Sequence, residues 1–230
     1  MDKLRQAELF DPPKQLPHGL IYQPEFITRE EEETLLDAIA PLPLREARFQ
    51  EYFAKRRVVH FGSAGSAETY DDNDDDTFSS GPLPQPFVEL QQRVAKWLAI
   101  DPAAFIHALV SEYRAGTPIG WHRDKPVYGI VVGLSLAGWG RMRFRPLDPR
   151  APRNAIVLLE LEPRSIYVMQ GPIRWQWQHS MLPTKALRYS ITFRTRADQS
   201  YGSVSREVPL RPTANSDKCR FHFAPRRGSM

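Results

Sequence analysis

From Phe105 to Thr195 one short extended-type segment follows another, with turn residues between them and no apolar recurrence at helical spacing. Phe105 to Arg114 would put Leu109, Ser111 and Tyr113 on one face, because side chains alternate with period 2 along a strand. Gly129 to Leu136 is almost continuously apolar, the pattern of a strand covered on both faces. Arg141 to Arg145 alternates charge with bulk and so has one wet face. Ala155 to Leu161, Ser165 to Met169 and Leu187 to Thr195 complete the set. Strands without intervening helices disfavour a βαβ architecture; they predict a mainly β domain closed as an antiparallel sandwich.

The rest of the chain bounds this core. The 230 residues suit one β-rich domain with added helices, and the 41% apolar share supplies a sizeable interior. The lone Cys219 excludes an internal disulfide and fits a reducing compartment. No apolar run is long enough for a membrane span, and Met1-Asp-Lys-Leu-Arg5 has no signal-peptide core behind it, so a soluble, intracellular (cytoplasmic) protein is expected; a monomer is expected as well. A net charge of +4 and a pI near 9.3 permit a polyanionic partner.

Residues 1–19 read as a loosely packed arm and 20–200 as the single domain. Gly19 to Tyr22 suggests a short strand. Thr28 and Glu31 have capping-box spacing ahead of Leu35, Leu36 and Ile39, and Pro41 stops that helix. A second helix follows Pro84, with Phe87, Leu90 and Val94 at helical spacing. Between them, Phe49 to Gly62 mixes aromatic and basic residues. That mixture suits either an ordinary strand, Arg57 to Phe61, flanked by solvated charge, or a surface where cations meet phosphates and rings stack on bases. Asp71 to Asp76 lacks the glycine and distal glutamate of a calcium loop and reads as an acidic turn. Residues 201–230 form a basic tail.

Two further patterns carry chemistry. His122 and Asp124, one residue apart, would share a face of an extended strand. With a second histidine from a distant strand they would make the open two-histidine, one-carboxylate set that suits Fe(II). Arg188 to Arg194 splits into an apolar face (Tyr189, Ile191, Phe193) and a polar one (Arg188, Ser190, Thr192, Arg194). The polar face would be wet on a surface strand, or it would line an anion-binding cavity. The two arginine Cα atoms would lie roughly 20 Å apart, so converging side chains leave room for a short dicarboxylate.

Tyr113-Arg-Ala-Gly-Thr-Pro-Ile-Gly-Trp-His122-Arg-Asp124, then His179, then Arg188 to Arg194, resemble the AlkB-like Fe(II)/2-oxoglutarate-dependent dioxygenases over roughly residues 20–196. The resemblance implies a double-stranded β-helix (jelly-roll) core. It implies iron held by His122, Asp124 and His179 as the catalytic centre. It also implies 2-oxoglutarate held by Arg188, with Arg194, Tyr113, Ser111, Ser190 and Thr192 around it. The region 45–81 resembles that family's nucleotide-recognition lid, which makes Tyr52, Phe53, Arg56, Arg57 and Lys125 candidate substrate contacts. The implied activity is oxidative demethylation of alkylated bases in DNA or RNA, the target base being single-stranded or flipped out of its stack. O2 would be consumed and formaldehyde, succinate and CO2 released.

The sequence departs from that family's pattern in two places. Many DNA-repair members have acidic residues after the triad aspartate; Lys125 and Pro126 stand there. Ser111 and Ser190 occupy positions where such members often carry asparagine. These departures bear on substrate choice, a lysine favouring an anionic neighbour. They leave open a related dioxygenase acting on a protein or small molecule, and a non-catalytic nucleic-acid-binding module.

Overall fold

The computed structural model describes residues 16–49, 52–62, 81–152 and 155–197. The acidic run at 71–76, the basic tail, Cys219 and most of the N-terminal arm lie outside these.

Eleven strands form among the described residues: β1 (Leu20–Gln23), β2 (Arg45–Phe49), β3 (Tyr52–Phe61), β4 (Phe105–Tyr113), β5 (Ile119–His122), β6 (Tyr128–Leu136), β7 (Gly140–Pro146), β8 (Val157–Leu161), β9 (Ile166–Met169), β10 (Trp177–Met181) and β11 (Arg188–Arg196). They make two sheets, one ordered β1-β9-β6-β11-β4-β3-β2 and one ordered β5-β10-β7-β8. Every pairing is antiparallel. This is the mainly β antiparallel sandwich expected from the strand patterning, with the jelly-roll core that the resemblance implied.

Two helices cover the outer face of the larger sheet. Helix α1 (Arg29–Ile39) begins at the predicted capping box: Thr28 accepts from the Glu31 backbone N–H, and the Glu31 carboxylate accepts from that of Thr28. Helix α2 (Gln85–Leu98) ends at Ala99 in the left-handed conformation. Their apolar stripes, including Leu35, Ile39, Phe87 and Val94, pack on Val59, Val110, Val132, Leu134, Ile191 and Phe193 of the sheet. Alternation then sends the other side chains of the same strands inward, between the sheets. There Val131, Tyr167 and Met169 meet Met142, Phe144, Leu159 and Leu161 of the smaller sheet in a second core. Gly133 makes this layer possible, because a Cβ there would sit 2.4 Å from the ring of Tyr167.

The inner layer is apolar towards β7 and β8 and polar where β11 and β4 face β5 and β10. Consequently the inward face of the central strand β11 is available for chemistry, and its outward face locks the fold.

Candidate active site

His122 ends β5, and its Cα partner across the sheet is His179 on β10. The register therefore places the two imidazoles side by side, with ring centroids 4.2 Å apart. Asp124 arrives differently from the expectation. β5 stops at His122, so Asp124 does not share its strand and instead sits on the connection to β6. Arg174, on the single-turn helix α3 (Pro172–Trp175), holds that connection by donating to the carbonyls of Lys125 (2.5 Å) and Tyr128 (2.9 Å). Asp124 Oδ1 accepts from Arg194 Nη2 at 3.2 Å, and Oδ2 lies 3.6 Å from His179 Nε2.

These donors suit a ferrous ion. The Gly120 carbonyl can only accept, so His122 Nδ1, 3.0 Å away, carries the proton and Nε2 keeps its lone pair. Burial pushes His179 down to about 3 and also lowers His122, which keeps both imidazoles neutral and able to ligate. Burial opposes the charge on Asp124, but Arg194, His179 and Arg174 outweigh it and hold the carboxyl well below its usual range. Its Oδ2 is buried without a hydrogen-bond partner. Among the described residues no set of three His, Cys, Asp or Glu side chains is already closed into metal-holding geometry. The register and the Asp124–His179 contact gather the three, and a bound ion would draw them the remaining distance.

A cavity opens beside them, lined among others by Arg56, Ser111, Tyr113, Ile119, Met142, Thr192 and Arg194. Arg188 lies behind this lining. It is 1% exposed, donates from Nε to Ser135 Oγ at 3.0 Å and stacks its guanidinium 4.9 Å from the Tyr113 ring centroid. Gly140 leaves the slot for it, since a Cβ there would stand 2.7 Å from Arg188 Nε. Nη1 has no hydrogen-bond partner, and no carboxylate pairs with the group among the described residues. A buried guanidinium without a carboxylate partner suits an anionic ligand. Ser190, two residues on along the same strand face, is buried as well.

The substrate-side candidates divide. Arg56 lines the cavity. Arg57, one residue on, points to the opposite face and forms a two-pronged pair with Glu112 (2.6 and 2.8 Å), so it is no part of the site. Lys125 is not among the lining residues; its carbonyl anchors Arg174 instead. The backbones of Tyr52 and Phe53 belong to β3, and their side chains lie outside the described residues.

Sequence reasoning missed three supporting residues. Arg194 Nη1 donates to His107 Nδ1 (3.1 Å), since a guanidinium has no acceptor. His107 Nε2 must then carry the proton, and it donates to His60 Nδ1 (3.1 Å). Both are neutral in this arrangement, and together they fix the guanidinium that pairs with Asp124. The only signal in the sequence was parity: His107 stands four residues before Ser111, and His60 four after Arg56, on the same strand faces. Arg174 gave no signal, because its role depends on a loop returning past it.

On the outer face of the smaller sheet, Trp121 lies under the guanidinium groups of Arg143 (4.8 Å) and Arg145 (4.4 Å). Those arginines are held by Ser180 and Gln178 and pair with no carboxylate among the described residues.

Comparison with known proteins gives concordant matches. Residues 19–194 match the model of the 2OG-Fe(II) oxygenase superfamily. The chain is 29% identical over 175 residues to tRNA (carboxymethyluridine(34)-5-O)-methyltransferase ALKBH8 of Mus musculus, covering 74% of this chain and 25% of that protein. It is 29% identical over 192 residues to the Alkylated DNA repair protein ALKBH8 homolog of Arabidopsis thaliana, covering 75% of this chain and 53% of that protein. It thus spans about a quarter to a half of these relatives. The solved structure of OsALKBH1 superposes with a TM-score of 0.60 at 15% identity, over 79% of this chain and 100% of that one.

Proposed function

The chain belongs to the 2OG-Fe(II) oxygenase superfamily as an AlkB-like dioxygenase with Fe(II) and 2-oxoglutarate as cofactors, and from that premise we propose that it oxidatively removes alkyl groups from modified nucleobases in DNA or RNA. When bound, the iron and 2-oxoglutarate supply, with O2, an oxidant able to hydroxylate a C–H bond, the co-substrate leaving as succinate and CO2.

The chain's own residues bind, orient and shield. His122, Asp124 and His179 would hold the metal on one side and leave its other positions open to the cavity. Arg188 would take the distal carboxylate of 2-oxoglutarate between Ser135 and the Tyr113 ring, with Ser190 alongside. The buried guanidinium of Arg188, its Nη1 without a hydrogen-bond partner among the described residues and its plane stacked on Tyr113, which lines the cavity beside the triad, is the observation that carries this reading. Arg194, pinned by His107, keeps Asp124 ionised and oriented. Ile119, Met142 and Met181 limit water around the reacting carbon. A hydroxylated N-alkyl carbon then collapses to formaldehyde and the free nitrogen.

Support for a nucleic-acid substrate comes from the names of the relatives, which speak of tRNA and of alkylated DNA, and from the arginines stacked on Trp121, which offer phosphates a cationic face. The test is incubation with Fe(II), 2-oxoglutarate and oligonucleotides bearing methylated or etheno-modified bases, wild type beside Asp124→Ala. Restored base is expected with the wild type alone, with formaldehyde from the methylated oligonucleotides and glyoxal from the etheno-modified ones. Succinate release without restored base would transfer the site to a protein or small-molecule substrate.

A further inference from the structure

Among the described residues, Arg56 is the one cavity-lining cation that neither the metal set nor the co-substrate explains. Strand β3 runs beside β4 with Val58 opposite Ser111, so alternation turns Arg56, Val58 and His60 towards the site and Arg57 away from it. Val58 packs on Leu109 in a small apolar patch, and Arg56 lies beyond it, lining the same cavity as Tyr113 and His122. Arg56 forms no ion pair among the described residues. Asp124 is the only carboxylate among the described lining residues, and Arg194 already holds it.

In the loaded site, a ferrous ion with Arg188 and Arg194 outweighs Asp124 and the two carboxylates of 2-oxoglutarate by one positive charge, and Arg56 makes that two. A cationic methylated base entering this cavity meets a net repulsion that neutral and anionic bases escape. The planar guanidinium can also lie on the face of an uncharged ring or pair with a carboxylate on it.

We propose that Arg56 is a specificity-determining residue that selects uncharged or acid-bearing modified bases and rejects cationic ones. This rests on the nucleobase reading above and narrows it.

The test uses oligonucleotides that each carry one modified base: N1-methyladenine or N3-methylcytosine (cationic), N1-methylguanine or N3-methyluracil (uncharged), and a carboxymethylated uracil (anionic). Binding to protein loaded with metal and 2-oxoglutarate is measured without oxygen, and turnover is measured with it, for wild type, Arg56→Gln and Arg56→Glu. Wild type should bind and process uncharged or anionic bases at least about tenfold better than cationic ones, a modest figure for charges a few ångströms apart in a partly buried site. Arg56→Gln should reduce that preference and Arg56→Glu reverse it. Equal handling of all classes by wild type, or a change confined to the KM for 2-oxoglutarate, overturns the role of Arg56 and leaves base dealkylation standing. If none of the bases is bound or altered while succinate still forms, the nucleobase reading fails and this inference falls with it.

Discussion

Arg188 and Gly140 act as a pair: one brings the charge and the other leaves the space. Adding a single methyl group as Gly140→Ala should displace the guanidinium, because the atoms it would strike belong to a side chain enclosed on all sides. The expected result is a rise of about tenfold or more in the KM for 2-oxoglutarate, roughly the loss of one charge-assisted hydrogen bond. Metal affinity should be unchanged, and steady-state kinetics beside metal titration would separate the two. At His107 the geometry is more discriminating. Asn can present an acceptor where Nδ1 stands, and Leu cannot. His107→Asn should therefore retain most activity, whereas His107→Leu lets the Arg194 guanidinium rotate and should lower kcat/KM by about tenfold, read with the same assay. Arg188 and Arg194 were legible as residues of one strand face, since period 2 alone puts them together. The histidines behind Arg194 were not, because a lone histidine on an apolar face looks the same whether or not anything depends on it.

Strand β5 and the loop after it show what an element can hide. His-x-Asp suggested one strand carrying both ligands, yet the strand is an edge strand that ends at the histidine, and Arg174 shapes the loop beyond it. The long strands β4, β6 and β11 and the two helices could be read from periodicity because each buries a whole face. β2 and β10 could not, since Arg45–Phe49 and Trp177–Met181 are short and take their pairing from neighbours. Helix α1 was readable down to its capping box, and Thr28→Ala should cost about 1 kcal/mol in urea unfolding without touching activity. The buried imidazoles give the sheet pair a pH signature. His122 and His179 hold their protons less tightly in the folded chain than in the unfolded one. The unfolded chain therefore binds more protons below the ordinary imidazole range, and stability falls as pH drops from 6.5 towards 3. Urea midpoints of metal-free protein should decline between neutral and mildly acidic pH, and less steeply in His179→Asn.

For the molecule as a whole, the two sheets divide the labour. The inner faces hold the chemistry, and the outer face of the smaller sheet holds Arg143 and Arg145 over Trp121. If a nucleic-acid strand crosses that face, the double change Arg143→Gln and Arg145→Gln should lower the slope of log affinity against log salt by about 2, at roughly one counterion per arginine. Fluorescence titration at several salt concentrations would measure it. No described helix is long and apolar enough to cross a membrane.

A guanidinium enclosed at the centre of a sandwich, with Nη1 lacking a hydrogen-bond partner among the described residues, costs stability that a bound anion would restore. If Arg188 holds 2-oxoglutarate, the co-substrate would do more than feed a reaction: by mass action it would make the sandwich open less often and survive proteases longer. A metabolite would govern abundance as well as turnover, with Arg188 as the point where the two are coupled.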